Sequence, residues 1–224
     1  MALCTPLLHH DEADMDHDFW HAKWESGQIG FHNDQPHSKL VAHLGALTLD
    51  PGARIFVPLC GKTVDIPWLM AQGFRVAGAE LNRSAIEQLF EDMQITPETR
   101  DAGSLTQFSA PGLDIFVGDI FELDSDMLGP VDAVYDRAAL VALPAEMRAD
   151  YAPHIDRLTA CAPQLLITFE YDASTVSGPP FPVPGDEVAR RYPKHTARLL
   201  EKTRVDGLKG VSPALELAWH LTKA

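Results

Sequence analysis

Hydrophobic residues in the middle of the chain form short continuous runs. The runs that predict strands occupy residues 54–59, 75–80, 113–117, 131–135 and 164–171, with two further strands near 199–204 and 215–221. Continuous apolar runs of this length are typical of strands buried on both faces of a sheet. Helical patterns lie between them, at 38–44, 63–72, 84–93 and 145–161. This alternation predicts an α/β fold with a mostly parallel seven-stranded sheet and helices on both faces.

Three segments depart from this alternation. Residues 1–14 mix histidine with acid without periodicity, so we expect a flexible leader before a single domain of residues 15–224. Within that domain the aromatic-rich residues 15–50 are predicted to form an N-terminal helical cap over a core of residues 51–224. Residues 96–112 are polar, and this segment is compatible with either a loop or a small hairpin. The proline-rich segment 177–185 predicts a stiff surface loop.

Two further signals refine this prediction. Ser84-Ala85-Ile86-Glu87 has the spacing of a capping box, which predicts that Ser84 caps the helix it opens. No stretch reaches the roughly 20 apolar residues that a membrane-spanning helix needs, and no membrane partner is expected.

Composition narrows the class of protein. The 224 residues carry a net charge of −14, and 46% of them are hydrophobic. A strongly acidic chain lacks the basic surface that nucleic acids require, so we expect no nucleic-acid partner. The three cysteines Cys4, Cys60 and Cys161 are too few and too widely spaced for a disulfide scaffold, which favours reduced thiols and a cytoplasmic location. Nothing in the sequence requires more than a monomer.

Candidate ligand-binding residues follow the predicted strands. Gly61 comes after the first strand, and Glu80 ends the second strand 19 positions later, near the spacing at which an acid reaches ribose hydroxyls. Asp119 and Ile120 follow the third strand, where an acid can accept from an adenine amino group and an apolar side chain can pack on the ring. Arg137 follows the fourth strand. Together these strand ends predict a cleft for an adenosine-containing ligand.

Each of these residues has a simpler structural interpretation. Gly61 fits an ordinary tight turn, and Glu80 fits a cap for the helix near Ser84. Asp119 fits an exposed turn, and Arg137 fits a surface ion pair with Asp136 or another acid. The tryptophans of the cap fit plain core packing.

Four motifs in register resemble the thiopurine S-methyltransferase family. They are Phe19-Trp20-His21-Ala22-Lys23-Trp24 with Gly30-Phe31-His32, Val57-Pro58-Leu59-Cys60-Gly61-Lys62, Asp136-Arg137-Ala138-Ala139-Leu140-Val141, and Tyr171-Asp172 with Gly178-Pro179-Pro180-Phe181-Pro182-Val183-Pro184. The resemblance covers the chain from about residue 16 to its end. Unrelated nucleotide-binding sheets share neither the aromatic nor the proline-rich segment.

The resemblance implies a Rossmann-like class I methyltransferase fold. It further implies S-adenosylmethionine as methyl donor, no metal, and a small aromatic or heterocyclic thiol as acceptor, with selenium or tellurium compounds as further acceptors in the bacterial branch. The residues implied to bind the cofactor are Trp20, Trp24, Leu59, Glu80, Asp119, Ile120 and Arg137.

Acceptor-binding residues are implied in the same way. They are Phe31, Pro180 and Phe181. Arg137 is expected to position the acceptor or stabilise its thiolate, and Lys209 and Arg204 are the candidates for a basic residue of the C-terminal region near the acceptor. Asp119 departs from relatives that carry serine at this position, although an acid serves the same role.

Rival functions are also compatible with parts of the sequence. His9, His10, Asp11, Asp16, His17 and Asp18 suggest a metal-dependent hydrolase, although a leader provides no scaffold for coordination geometry. A nicotinamide oxidoreductase shares the fold class but would need a glycine fingerprint that is absent from the sequence. A non-catalytic sensor of adenosine ligands would use the same cleft without turnover. A catalytic nucleophile at Cys60 would need a histidine partner, and none is indicated nearby.

Overall fold

The computed structural model describes residues 17–26 and 33–224, without the side chains of His17 and Asp18. The predicted leader of residues 1–14 and the predicted acceptor residue Phe31 lie outside the described residues. The division into cap and core therefore stays a prediction.

The described part of the chain contains one nine-stranded sheet. Its strands are β1 Arg54–Val57, β2 Arg75–Glu80, β3 Glu98–Ala102, β4 Leu105–Ala110, β5 Leu113–Val117, β6 Ala133–Asp136, β7 Gln164–Glu170, β8 His195–Val205 and β9 Ala214–Lys223. They are ordered β3-β4-β5-β2-β1-β6-β7-β9-β8. The α/β class is confirmed.

Strand direction divides the sheet into a centre and two edges. The five central strands β5, β2, β1, β6 and β7 pair in parallel, whereas β3 and β4 at one edge and β8 and β9 at the other pair antiparallel. The seven predicted strands omit two, which form the small hairpin that was one of the alternatives for residues 96–112. The missing pair is the β3–β4 hairpin, whose first strand is mostly exposed and so lacks the apolar run that marks the others.

The continuous apolar runs are explained by burial on both sides of the central strands. Ile55 and Val57 of β1 pack into one hydrophobic cluster, and Phe56 packs into the other on the opposite face. All three side chains are at most 1% exposed. Alternate residues therefore stabilise two separate layers, and every position of the strand favours an apolar side chain.

The helices of the described residues flank this sheet. They are α1 His17–Glu25, α2 Ser38–His43, α3 Asp65–Ala71, α4 Arg83–Asp92, α5 Ser125–Leu128, α6 Ala145–Leu158 and α7 Gly185–Arg191. The short helices α5 and α7 were not predicted. Each of these described helices is too short or too polar to cross a lipid bilayer.

The cap of α4 differs from the prediction. Oδ1 of Asn82 accepts the backbone N–H of Ala85 at 3.2 Å, so Asn82 is the N-cap and Ser84 lies inside the first turn. The hydroxyl of Ser84 instead donates to the same Asn82 oxygen at 2.7 Å. Asparagine caps as well as serine does, and here it lies one residue before the helix begins.

The proline-rich segment forms a loop, as predicted, but two of its side chains are buried and not at the surface. Val183 is fully buried and Phe181 is 8% exposed. The backbone N–H of Val183 donates to the carbonyl of Phe169 in β7 at 2.8 Å. The loop is therefore anchored to the sheet at Val183.

Candidate active site

A cavity of about 630 Å³ opens at the carboxyl ends of the parallel strands. This edge is where ligands bind in open α/β sheets, and the volume is typical of small-molecule sites. Its lining includes all seven residues predicted for the cofactor, namely Trp20, Trp24, Leu59, Glu80, Asp119, Ile120 and Arg137. The fold thus brings side chains from α1 and four strand ends around one space.

Glu80 lies at the centre of this arrangement. Its Oε2 accepts the backbone N–H of Gly61 at 2.7 Å, and its Oε1 accepts the backbone N–H of Asn82 at 2.8 Å. The side chain is buried, and burial raises the pKa of the carboxyl although the hydrogen bonds from Asn82 and Gly61 oppose this. Because each oxygen retains a further lone pair, a held Glu80 can still accept from two ligand hydroxyls.

The turn after β1 brings backbone close to the ligand space. Leu59 and Gly61 both have positive φ angles, of 45° and 52°. The N–H of Cys60 donates to the carbonyl of Ala79 in β2 at 2.9 Å, which ties the turn to the neighbouring strand. A left-handed leucine is uncommon and is found where surrounding structure holds it, often at a functional site.

The close approach depends on a glycine in β2. A Cβ atom on Gly78 would lie 2.7 Å from Cδ1 of Ile115 and 3.0 Å from Sγ of Cys60. The absence of a side chain at this position lets the turn settle on the sheet.

Asp119 begins a 3₁₀ turn over Ile120–Glu122. Its Oδ1 accepts the N–H of Phe121 at 3.0 Å. Ile120 is 5% exposed, and its carbonyl accepts from Nε2 of His154 at 2.8 Å. Both residues that were predicted for the adenine therefore lie in a turn held at its start and along its backbone.

Arg137 lines the cavity directly after β6, while its neighbour Asp136 points into the core. Asp136 is fully buried, with its Oδ1 accepting from the N–H of Leu140 at 3.1 Å and its Oδ2 from the hydroxyl of Tyr151 at 2.8 Å. Burial raises the pKa of Asp136 to about 6. Both oxygens of Asp136 are therefore engaged within the core, while an ion pair of Arg137 with an acid stays an untested alternative.

Three further segments contribute a mostly apolar part of the lining that includes two lysines. It is formed by Phe19, Trp20, Lys23 and Trp24 of α1, by Gly178, Pro179 and Pro180, and by Gly207, Leu208 and Lys209. Burial, and secondarily the charge of Lys23, lowers the pKa of Lys209. An apolar surface beside cations suits a flat acceptor that carries negative charge.

Two of the predicted acceptor-side residues lie elsewhere. Arg204 is exposed, contacts Ser212 at 3.0 Å and Asp206 at 3.4 Å, and is absent from the cavity lining. Phe181 also lies outside the lining, with its ring 5.7 Å from the guanidinium carbon of Arg148. Of the acceptor-side residues predicted within the described part, Arg137, Pro180 and Lys209 line the cavity.

Sequence reasoning missed a buried pair in the cavity wall. The hydroxyl of Tyr135 in β6 donates to Oδ2 of Asp65 at 3.0 Å, and Oδ1 of Asp65 accepts the backbone N–H of His37 at 2.7 Å. Both Tyr135 and Asp65 line the cavity. Asp65 therefore connects the segment before α2 with the strand that carries Arg137. An acid in the first turn of a helix is too common a pattern to have revealed this.

The rival functions gain no support from the described residues. Cys60 is buried, and burial followed by the charge of Glu80 raises the pKa of its thiol well above the usual value, which disfavours a thiolate nucleophile. Within residues 17–26 and 33–224 no group of three or more histidine, cysteine and acidic side chains is arranged to hold a metal ion. Most of the histidine and acid cluster of residues 9–18 lies outside this part of the chain.

Solved structures with the same fold are methyltransferases. A Burkholderia thailandensis 1,6-didemethyltoxoflavin-N1-methyltransferase with bound S-adenosylhomocysteine matches with a TM-score of 0.64 at 17% identity, covering 99% of this chain and 94% of that one. An S-adenosylmethionine-dependent methyltransferase from Anabaena variabilis matches with a TM-score of 0.61 at 13% identity over 93% and 95% of the two chains. The fold is therefore that of the class I S-adenosylmethionine-dependent methyltransferases.

Sequence relatives narrow the class to one family. The model of the thiopurine S-methyltransferase family matches residues 15–215. A thiopurine S-methyltransferase from Xanthobacter autotrophicus is 55% identical over 94% of this chain and all of the relative, and one from Gluconobacter oxydans is 48% identical over 91% and 94%. The chain belongs to the thiopurine S-methyltransferase family, as its motifs indicated.

Proposed function

We propose that this enzyme transfers the methyl group of S-adenosylmethionine to the sulfur of small aromatic or heterocyclic thiols, thiopurines among them. The observation that carries the proposal is that four strand ends and α1 meet around one cavity whose lining also includes apolar side chains and lysines. The names of the relatives from Xanthobacter and Gluconobacter support the same acceptor class.

The cofactor's adenosine fits the strand-end residues. Glu80 would accept from the ribose hydroxyls, because both of its oxygens are held by backbone N–H groups and the side chain lines the cavity. Asp119 would accept from the adenine amino group, and Ile120 would pack on the ring. Leu59 would contact the cofactor from the turn after β1.

Bound S-adenosylmethionine would supply a methyl group that an acceptor thiolate takes by in-line displacement from the sulfonium. The charges of cation and anion cancel in this step, so the protein needs no metal and no general acid. Its contribution is to hold the two sulfurs in line with the methyl group, which is worth up to about 7–11 kcal/mol. Trp20 and Trp24 would present aromatic faces to the sulfonium and exclude water.

Arg137 and Lys209 would act on the acceptor. A cation near the thiol favours its ionised form, so Arg137 would lower the pKa of the acceptor or hold the cofactor's anionic group. Pro180 would form an apolar wall, and Lys209 takes precedence over Arg204 as the basic residue near the acceptor because only Lys209 reaches the cavity. Phe181 is left out of the acceptor set for the same reason.

Titration calorimetry with S-adenosylmethionine and S-adenosylhomocysteine, followed by a methylation assay on 6-mercaptopurine, tests this function. We expect binding of both and turnover of the thiol. Failure to bind either would overturn the cofactor assignment, and binding without methylation of any aromatic thiol would overturn the acceptor class. Methylation of selenium or tellurium compounds, a monomeric state and a cytoplasmic location stay predictions.

A further inference from the structure

A buried arginine, Arg148, contacts residues at the cavity from outside its lining and has no role in the mechanism above. Arg148 is in the first turn of α6 and is 5% exposed. Its Nε donates to Oε1 of Glu187 in α7 at 3.0 Å, and its Nη2 lies 3.5 Å from Oε2 of the same carboxylate. A guanidinium held at two points is fixed in direction as well as in position.

One wall of the cavity is attached to this arginine directly. Nη1 of Arg148 donates to the backbone carbonyl of Leu143 at 2.7 Å, and Leu143 lines the cavity. Glu187 is held in turn by Nε of Arg191 at 3.2 Å, and Nη2 of Arg191 donates to the carbonyl of Ala145 at 2.9 Å. The start of α6 and the helix α7 are thereby locked together beside Leu143.

The proline-rich segment of the cavity lining is attached through Phe181. The guanidinium of Arg148 lies over the Phe181 ring, and that ring fills the space beside Gly178 so closely that a Cβ on Gly178 would collide with it. The backbone N–H of Phe181 donates to the carbonyl of Val141 at 2.6 Å. Gly178 and Val141 both line the cavity.

The proline next to Phe181 is anchored separately. The hydroxyl of Tyr171 donates to the carbonyl of Pro180 at 2.6 Å. Arg148 and Phe181 themselves are absent from the cavity lining, whereas Leu143, Val141, Gly178 and Pro180 belong to it. Arg148 thus contacts Leu143 directly and the proline-rich segment through Phe181, while not lining the cavity itself.

We propose that Arg148 and Glu187 are a pair of positioning residues that set the spacing of the Leu143 and Pro180 walls, and with it the place of the acceptor sulfur. The proposal rests on the function given above. The bonds of this pair do not include Glu80 or Asp119, so its effect falls on the acceptor and not on the cofactor's adenosine. Displacements of about 1 Å in a reacting group cost up to about a hundred-fold in rate.

Arg148→Lys is the first test, because lysine keeps the charge but loses the planar two-point contact. We expect the KM for 6-mercaptopurine to rise about ten-fold or more, while the Kd for S-adenosylhomocysteine changes less than about two-fold. The matched control is Arg190→Lys, whose partner Asp186 lies 3.8 Å away on the exposed face of α7 and whose KM should not change. An unchanged KM in Arg148→Lys, or a cofactor Kd raised as much as the KM, would overturn the proposal.

A double variant separates positioning from simple stabilisation. Replacing a buried ion pair by apolar side chains of similar size often preserves stability, so Arg148→Met with Glu187→Met should retain a Tm near that of the wild type. Methionines cannot hold the Leu143 carbonyl or stack on Phe181 as a cation, so the KM for the acceptor should stay high. A double variant with the wild-type KM would contradict the inference, whatever the result for Arg148→Lys.

Hydrogen exchange gives a measurement that is independent of activity. In residues 179–183 only Phe181 and Val183 carry a backbone N–H, because positions 179, 180 and 182 are proline. Both N–H groups are bonded to the walls, at the carbonyls of Val141 and Phe169. We expect their exchange to accelerate in Arg148→Lys and not in Arg190→Lys, and unchanged exchange would count against the positioning role. A wild-type enzyme that fails to methylate thiols would overturn only the proposed function, since this measurement would still be possible.

Discussion

The backbone N–H of Gly61 donates to the carboxylate of Glu80 at 2.7 Å, which joins the turn after β1 to the end of β2. The carboxylate is held from its other side by the N–H of Asn82 at 2.8 Å. Because two backbone N–H groups already hold the Glu80 side chain, it loses little conformational freedom when the ribose binds. This lowers the entropic cost of binding.

Replacing the carboxylate of Glu80 should weaken cofactor binding. Charge-assisted hydrogen bonds contribute about 1.5–3 kcal/mol each, so Glu80→Gln should raise the Kd for S-adenosylhomocysteine about ten- to a hundred-fold by calorimetry. Glu87→Gln makes the same change at an exposed position of α4, where Glu87 pairs with Arg83 at 2.9 Å, and should leave the Kd unaltered. Equal effects of the two variants would show that overall charge, and not the ribose contact, governs binding.

The pH dependence of that binding follows from the raised pKa of Glu80. Burial raises this pKa, so protonation of the free site begins at a higher pH than for an ordinary glutamate. The ionised form is the better acceptor, and affinity should therefore fall as the pH is lowered through the raised pKa. Wild-type affinity should decrease as the pH is lowered into the acidic range, starting at a higher pH than for an ordinary glutamate, whereas that of Glu80→Gln should be nearly flat.

Arg137 should affect the acceptor's ionisation. Removing the cation in Arg137→Met raises the pKa of a bound thiol, so the pH profile of kcat should move to higher pH and its plateau should fall about ten- to a hundred-fold. Arg83→Met removes an equal charge from the exposed surface of α4 and should change neither the position of the pH profile nor its plateau. A lower plateau with an unshifted profile would assign Arg137 to the cofactor alone.

Lys209 and Arg204 should differ although they are close in sequence. Lys209 lines the cavity and Arg204 does not. Lys209→Met should raise the KM for 6-mercaptopurine about two- to five-fold, a small effect because partly exposed charges are screened, while Arg204→Met should leave it unchanged. Because burial and Lys23 lower the pKa of Lys209, its contribution should be lost with rising pH earlier than for an ordinary lysine. A larger effect of Arg204→Met than of Lys209→Met would reverse the assignment.

Asp136 should make stability depend on pH. Its pKa is raised from 3.8 to about 6 in the folded state, so the folded protein binds the proton more tightly than the unfolded chain does. Its contribution is fully present below the unfolded pKa and is lost as pH rises through the folded pKa. Between about pH 4 and pH 7 the wild type should lose up to about 3 kcal/mol relative to Asp136→Asn, measured by urea unfolding. A difference that does not vary with pH would refute the assignment of this titration to Asp136.

The sheet was largely predictable because its physics is local. A strand buried on both faces needs an apolar residue at nearly every position, so β1, β2, β5 and β7 are visible as runs in the sequence. The exposed first strand of the β3–β4 hairpin has no such run, and it is held by pairing with its neighbour instead. That information lies in a partner strand and not in the segment itself.

The strand-end residues were identifiable for a related reason. Parallel strands end at one edge of a sheet, so Glu80, Asp119 and Arg137 are brought together by topology once the strands are assigned. No comparable rule predicts which residues of the β8–β9 hairpin lie at the cavity. Whether Lys209 or Arg204 reaches the cavity depends on strand register and on how the connecting turn folds back, which no short segment encodes.

The sequence by itself thus determined the alternation of strands and helices, the family, and the chemical groups at the strand ends. Tertiary structure decided the direction of individual side chains. It turned Phe181 away from the cavity, placed Asp65 against Tyr135, and brought Arg148 into contact with Leu143 and Phe181. The physical reason is that a periodic pattern records how buried a position is, whereas the identity of its neighbour depends on segments that meet only when the chain has folded.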